Sequence, residues 1–138
     1  MRFALYPRNL LAFAAAFAFF SLAACGDKQS FVASPNYDFS AAPAEVAMDE
    51  DAVVDVRIIH KPTGKPVVDA VVFETRFDME PAGMGEMHAQ ATAQDSPSPG
   101  VYRFTVKPTM AGRWALKLST KVQGEAETVR GVVVITAR

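Results

Sequence analysis

From about Ala52 onward, apolar residues recur at every second position, the period of half-buried strands rather than of helices. Val54, Val56 and Ile58 share one face of a first strand, with Asp55 and Arg57 on the other. The run Pro62-Thr63-Gly64-Lys65-Pro66 turns the chain. In a second strand Val71, Phe73, Thr75, Phe77 and Met79 alternate with Val72, Glu74, Arg76 and Asp78. A loop rich in proline and glycine, Pro81 to Gly85, leads to a short third strand from Met87 to about Ala93. After the turn Ser96-Pro97-Ser98-Pro99-Gly100, Tyr102, Phe104 and Val106 mark a fourth strand. Trp114, Leu116 and Leu118 mark a fifth, and Val129 to Thr136 a last one. No segment carries a convincing helical period. Short strands at this spacing predict an all-β fold, an immunoglobulin-like antiparallel β-sandwich of six to seven strands over residues 45–138.

The first forty-four residues read differently. Arg2 and Arg8 form a positive region ahead of an unbroken apolar run from Leu10 to Phe20, too short for a membrane span, which needs about 20 apolar residues. Residues 1–24 are therefore expected to be a secretory signal peptide. Leu22-Ala23-Ala24-Cys25 resembles the lipobox of bacterial lipoproteins, which implies cleavage before Cys25 and lipidation of that residue. Residues 25–44 then read as a lipidated cysteine and a flexible tether, broken by Ser30, Ser34, Pro35, Asn36, Ser40 and Pro43. Phe31, Tyr37 and Phe39 are able to dock on the domain. The expected location is outside the cytoplasmic membrane, held to a membrane by lipid, on the periplasmic side in a Gram-negative cell.

Composition narrows the chemistry. Cys25 is the only cysteine, so the B–F disulfide of antibody domains is excluded. With lipid on its sulfur, a thiolate metal site and a cysteine nucleophile are excluded too. Lys and Arg total 14 against 15 Asp and Glu, and they are scattered. Nucleic-acid binding would need a basic stripe, and none is present. Neither an activated-serine motif nor a His-Glu-x-x-His spacing occurs, so no enzyme is expected.

The candidate chemistry is metal binding by Met79, Met84, Met87, His88 and Met110. Thioether and imidazole are soft and borderline donors, the set that selects Cu(I) over calcium, magnesium or manganese. Methionine also fills irregular core gaps, and Met79 continues an inward row. If each strand reverses direction, the turns alternate between the two ends of the sandwich. The loops at 79–87 and 108–112 then share one end, together with the entry to the first strand at Met48, Asp49, Glu50 and Asp51. His60 falls at the other end. The acidic run after Met48 reads as a solvated strand entry, with hard oxygen ligands as the alternative. Met87 and His88 are adjacent, and strand neighbours point to opposite faces. Both can reach one ion only before the strand begins or at a bulge.

Three stretches carry a family resemblance: Phe77-Asp78-Met79 through Gly83-Met84-Gly85-Glu86-Met87-His88, then Pro99-Gly100-Val101-Tyr102, then Met110-Ala111-Gly112-Arg113-Trp114-Ala115-Leu116. Together they resemble the YtkA-like domain, related to FixH, over residues 45–138. The family loop often reads Met-Pro-x-Met-x-Met, whereas here Glu80-Pro81-Ala82-Gly83 separates Met79 from Met84. The resemblance implies an extracytoplasmic sandwich associated with copper handling. The expected function is a membrane-tethered Cu(I)-binding accessory protein for copper delivery, oxidase assembly or metal efflux. Its expected partners are a copper-dependent oxidase, a copper chaperone or an efflux pump. The alternative is a metal-free interaction module that docks on a membrane protein through its methionine-rich loop.

Overall fold

The computed structural model describes residues 30–138. The expected signal peptide and the expected lipidation site, Cys25, lie outside the described residues. Nine strands form: β1 (Tyr37–Ala42), β2 (Glu45–Val46), β3 (Ala52–His60), β4 (Lys65–Pro66), β5 (Val71–Met79), β6 (Met84–Ala93), β7 (Val101–Lys107), β8 (Gly112–Lys121) and β9 (Val129–Ala137). A 3-10 turn, Glu80–Ala82, joins β5 to β6. Two of the nine, β2 and β4, are two residues long, which leaves seven strands of sandwich length.

The strands lie in the order β1-β3-β7-β6 on one side and β5-β8-β9-β2 on the other. This is the order of the seven-stranded immunoglobulin fold, four strands facing three. Strand β6 links the layers, because its first part pairs with β5 and its last four residues pair with β7. Alternation decides what is inside. The inward rows are Val54 and Val56 of β3, Phe77 and Met79 of β5, Phe104 and Val106 of β7, Trp114, Leu116 and Leu118 of β8, and Val133 and Ile135 of β9. Burying a side chain of this size stabilises by about 1.5–3 kcal/mol, so the rows hold the layers together.

Successive long strands run in opposite directions, as the antiparallel pairings require. The connections at 80–83 and 108–111 and the approach to β3 at 47–51 therefore lie at one end, here called the lower end. His60 lies at the upper end, where it is paired with Tyr37.

The expected tether over 25–44 is corrected in its second half. Residues 37–42 are β1, antiparallel to β3 along its whole length, and Glu45–Val46 pair in parallel with the end of β9. Ser34 is already tied to Arg130, donating its backbone N–H to the Arg130 carbonyl at 2.8 Å and accepting the Arg130 N–H on its hydroxyl at 2.9 Å. The reason is a long-range fit: the Phe39 ring lies over Gly131, where a Cβ would collide with it. A second correction concerns β5. A bulge between Val72 and Glu74 turns Val72 toward the core and leaves Val71 and Phe73 exposed, opposite to the simple alternation.

Gly131→Ala should lower stability by about 1–3 kcal/mol, the usual cost of overpacking. Part of that loss should return when Phe39→Ala is combined with it, since contacting residues are coupled. Urea denaturation of the two single variants and the double variant measures the coupling, and simple additivity would contradict the contact.

Candidate functional site

Every methionine of the described residues is at the lower end. Met79 closes β5, Met84 opens β6 and Met87 follows it. Met110 is in the β7–β8 crossover, and Met48 is in the turn before β3. Four of these side chains are unusually open for methionine: Met48, Met84 and Met110 are 40% exposed and Met87 is 39% exposed. None of the four belongs to either core cluster, so core packing does not account for them.

The fifth is different. Met79 is 1% exposed and belongs to the main core. Its Cε lies 2.8 Å from where a Cβ on Gly112 would stand, and Gly112 has φ 137°, so glycine is doubly required there. Met79 is thus a core residue, the alternative that its place in the inward row of β5 offered, because that row runs to its last position.

The β5–β6 hairpin sorts the remaining candidates. Asp78 pairs with His88 and Phe77 with Ala89, but Met79 pairs with Met84, so residues 85–87 bulge without partners on β5. Directly opposed residues share a face. Met84 therefore takes the core side with Met79, and His88 takes the outer side with Asp78. Met87 lies inside that bulge, where simple alternation does not fix its side. His88, on the outer side, is parted from Met84, and the bulge leaves Met87 between them. The third strand begins at Met84, not at Met87 as expected.

Two tethers fix the rest of the lower end. Trp114 is fully buried and stacked on Phe77, with ring centroids 4.9 Å apart. Its indole Nε1–H donates to the Met110 carbonyl at 3.0 Å, which holds the β7–β8 crossover. The Asp49 backbone N–H donates to the Pro108 carbonyl at 2.8 Å, and the Met48 N–H donates to the Arg138 carbonyl at 2.8 Å. The 48–49 turn is thereby pinned against the crossover that carries Met110.

Behind the hairpin, on the outer face of the same sheet, is a charged cluster that the sequence reading missed. Asp78 is fully buried and Lys117 nearly so. Lys117 Nζ donates to Asp78 Oδ2 at 3.0 Å and also pairs with the Glu80 carboxylate. Arg76 Nε donates to Asp78 Oδ2 at 2.7 Å, while its Nη2 reaches the Gly85 carbonyl at 3.2 Å. The Glu80 N–H donates to Asp78 Oδ1 at 3.1 Å. Burial pushes the Asp78 carboxyl up, but hydrogen bonds from Lys117, the Glu80 amide and Arg76 outweigh it and hold the group below its usual range. Burial pulls Lys117 down, and its hydrogen bonds to Glu80 and Asp78 more than reverse that. The cluster clamps the 3-10 turn and the start of β6, so it positions Met84. Lys117 reads in sequence as an ordinary outward residue between Leu116 and Leu118. Only the turn folding over β8 buries it.

Among the described residues, no three histidine, cysteine or carboxylate side chains are grouped so as to hold a metal ion. A shallow depression of about 440 Å³ lies elsewhere, on the outer face of the β1-β3-β7 layer, near Asp55, Arg57 and Arg103. Asp55 and Arg103 satisfy each other there at 2.7 and 2.9 Å. What the lower end offers is thioether chemistry. Neutral sulfur donors need lose no proton to bind and are matched to a soft cation.

Lys117→Met should cost at most about 3–5 kcal/mol, because it takes from a buried carboxylate one of its two cationic partners. In the native protein Asp78 is bound more tightly as the anion. Its contribution is therefore complete above the unfolded carboxylate pKa of about 3.9 and is lost as pH falls through the lower folded value. Thermal melts of native and variant protein across the acid range should converge as Asp78 is protonated. A constant gap down to the lowest pH would contradict the role given to Asp78.

No curated protein matches the chain. Among solved structures it is similar to the Lin-41 filamin domain, at 14% identity over 75% of this chain and 92% of that one, with a TM-score of 0.46. It is also similar to the ZirS C-terminal domain, at 12% identity over 98% of this chain and 86% of that one, with a TM-score of 0.43. The YtkA-like family model matches residues 31–119, from just ahead of β1 into the last part of β8. That span takes in the methionine hairpin, the Trp114 strand and the part of the chain expected to be tether, and the protein belongs to the YtkA-like family.

Proposed function

We propose that this protein is a Cu(I)-binding accessory protein that works outside the cytoplasmic membrane, tethered there through lipid on Cys25. It takes up or hands over copper and does no catalysis itself. The observation that carries the reading is the gathering of all the domain's methionines at one end, four of them about two-fifths exposed. Core packing explains Met79 and leaves the other four without a structural task.

The residues fit the ion. Met84 and Met110 are open to solvent, Met87 sits in the bulge between Met84 and His88, and all three carry neutral soft donors. Copper supplies the soft cation that such donors prefer over calcium or magnesium. The protein supplies a rigid rim on which the sulfurs stand. His88 faces the other side of β6, so the working donor set is thioether. An exposed site suits exchange with a partner more than storage. A copper-dependent oxidase, a copper chaperone or an efflux pump is the class of partner that such exchange serves.

The test is competition for Cu(I) between the purified full chain, in mild detergent, and a chromophoric chelator. The native protein should withdraw one equivalent of copper. Met84→Leu conserves volume and should cost under about 1.5 kcal/mol of stability, yet it should weaken binding at least about tenfold, since even outer-shell changes at metal sites cost that much. His88→Ala should bind as the native protein does. If the native chain withdraws no copper, the reading fails, and the exposed methionines become an apolar docking surface for a membrane protein.

A further inference from the structure

We infer that Met48 belongs to the copper-binding set and takes the place that the sequence pattern gives to Met79. The inference rests on the copper reading above and specifies which residues carry it.

Met48 is far from the methionine hairpin in sequence and stands outside the motif that suggests metal binding. The fold brings it back. It occupies a turn in which Asp49 has φ 61°, and its side chain is 40% exposed, like those of Met84 and Met110. A solvated turn ordinarily takes glycine, asparagine, aspartate or serine. An exposed methionine there contributes neither turn geometry nor core.

The turn is also held still. Its two consecutive backbone N–H groups are tied to different elements, Met48 to the Arg138 carbonyl after β9 and Asp49 to the Pro108 carbonyl after β7, both at 2.8 Å. Pro108 is two residues before Met110, whose own carbonyl is fixed by the Trp114 indole. Met48 and Met110 are thus presented on adjacent, mutually bonded crossovers between the layers. A donor held in place before the ion arrives loses less conformational freedom on binding. The neighbouring exposed carboxylates of Asp49, Glu50 and Asp51 add negative potential that favours approach of a cation.

Met79 has the opposite character. Its sulfur is sealed in the core with Trp114 and Phe77, and reaching an ion at the surface would mean leaving a filled site. Its task is to support the rim from beneath.

The experiment is methyl NMR of the full chain in detergent, labelled with ¹³C at the methionine methyls and titrated anaerobically with Cu(I). Met48→Leu and Met79→Leu provide assignments. The Met48, Met84 and Met110 methyls should shift together with one equivalent of copper, and the Met79 methyl should move far less. In chelator competition, Met48→Leu should weaken binding at least about tenfold while Met79→Leu keeps native affinity. If Met84 and Met110 shift but Met48 does not, the inference is overturned while the copper reading stands. A large shift at Met79 with Met48 still would restore the sequence-based assignment. If no methionine responds, the copper reading and this inference fall together.

Discussion

A buried indole N–H must find an acceptor, and much of the lower end follows from how Trp114 finds one. Leaving such a donor unpaired costs about 1–3 kcal/mol, so the β7–β8 crossover is drawn in until the Met110 carbonyl meets Nε1 at 3.0 Å. With that crossover fixed, the Pro108 carbonyl is in position to accept from Asp49, and the approach to β3 is fixed in turn. The same ring, stacked on Phe77, forms an apolar ceiling in the core cluster that also holds Met79. One interaction in the core thereby sets the positions of two surface methionines and the burial of a third.

The hairpin is set by a second device on the opposite face of its sheet. Asp78, Lys117, Glu80 and Arg76 neutralise and hydrogen-bond one another where the 3-10 turn folds over β8. A buried ion pair is weak evidence for stability, but it is costly to break from one side, and here it holds a specific geometry. The Arg76 bond to the Gly85 carbonyl extends that geometry into the bulge between Met84 and His88. Polar clamp and apolar ceiling act on opposite faces of β5, and the methionine rim is fixed between them.

The layers and the two ends were legible in the sequence because both depend on local rules. Period-two alternation identifies inward rows such as Trp114-Leu116-Leu118, and alternating turns sort 80–83 and 108–111 to one end. What was hidden depends on contacts distant in sequence. Strand β1 looks like a linker because Pro35 and Pro43 flank it and its end is small. That Tyr37 and Phe39 are able to dock was legible, but not that Phe39 seats on Gly131 and makes the segment a strand. Phe73 faces outward because a bulge changes the phase of β5, and no residue in that stretch announces one. Lys117 looks solvated until the turn buries it. The candidate site was half legible. The end of the molecule followed from topology, and the inward row of β5 pointed to a buried Met79, but the exposure of Met48 beside Met110 follows only from the long-range bonds of its turn.

The central claim is that the lower end holds Cu(I) through sulfur, and X-ray absorption at the copper edge of the Cu(I)-loaded full chain tests it most directly. The account predicts a first shell of sulfur alone, without the outer-shell scattering of an imidazole. A histidine nitrogen in that shell would contradict the separation of His88 from the methionine rim, and a shell of light atoms only would contradict the thioether site itself.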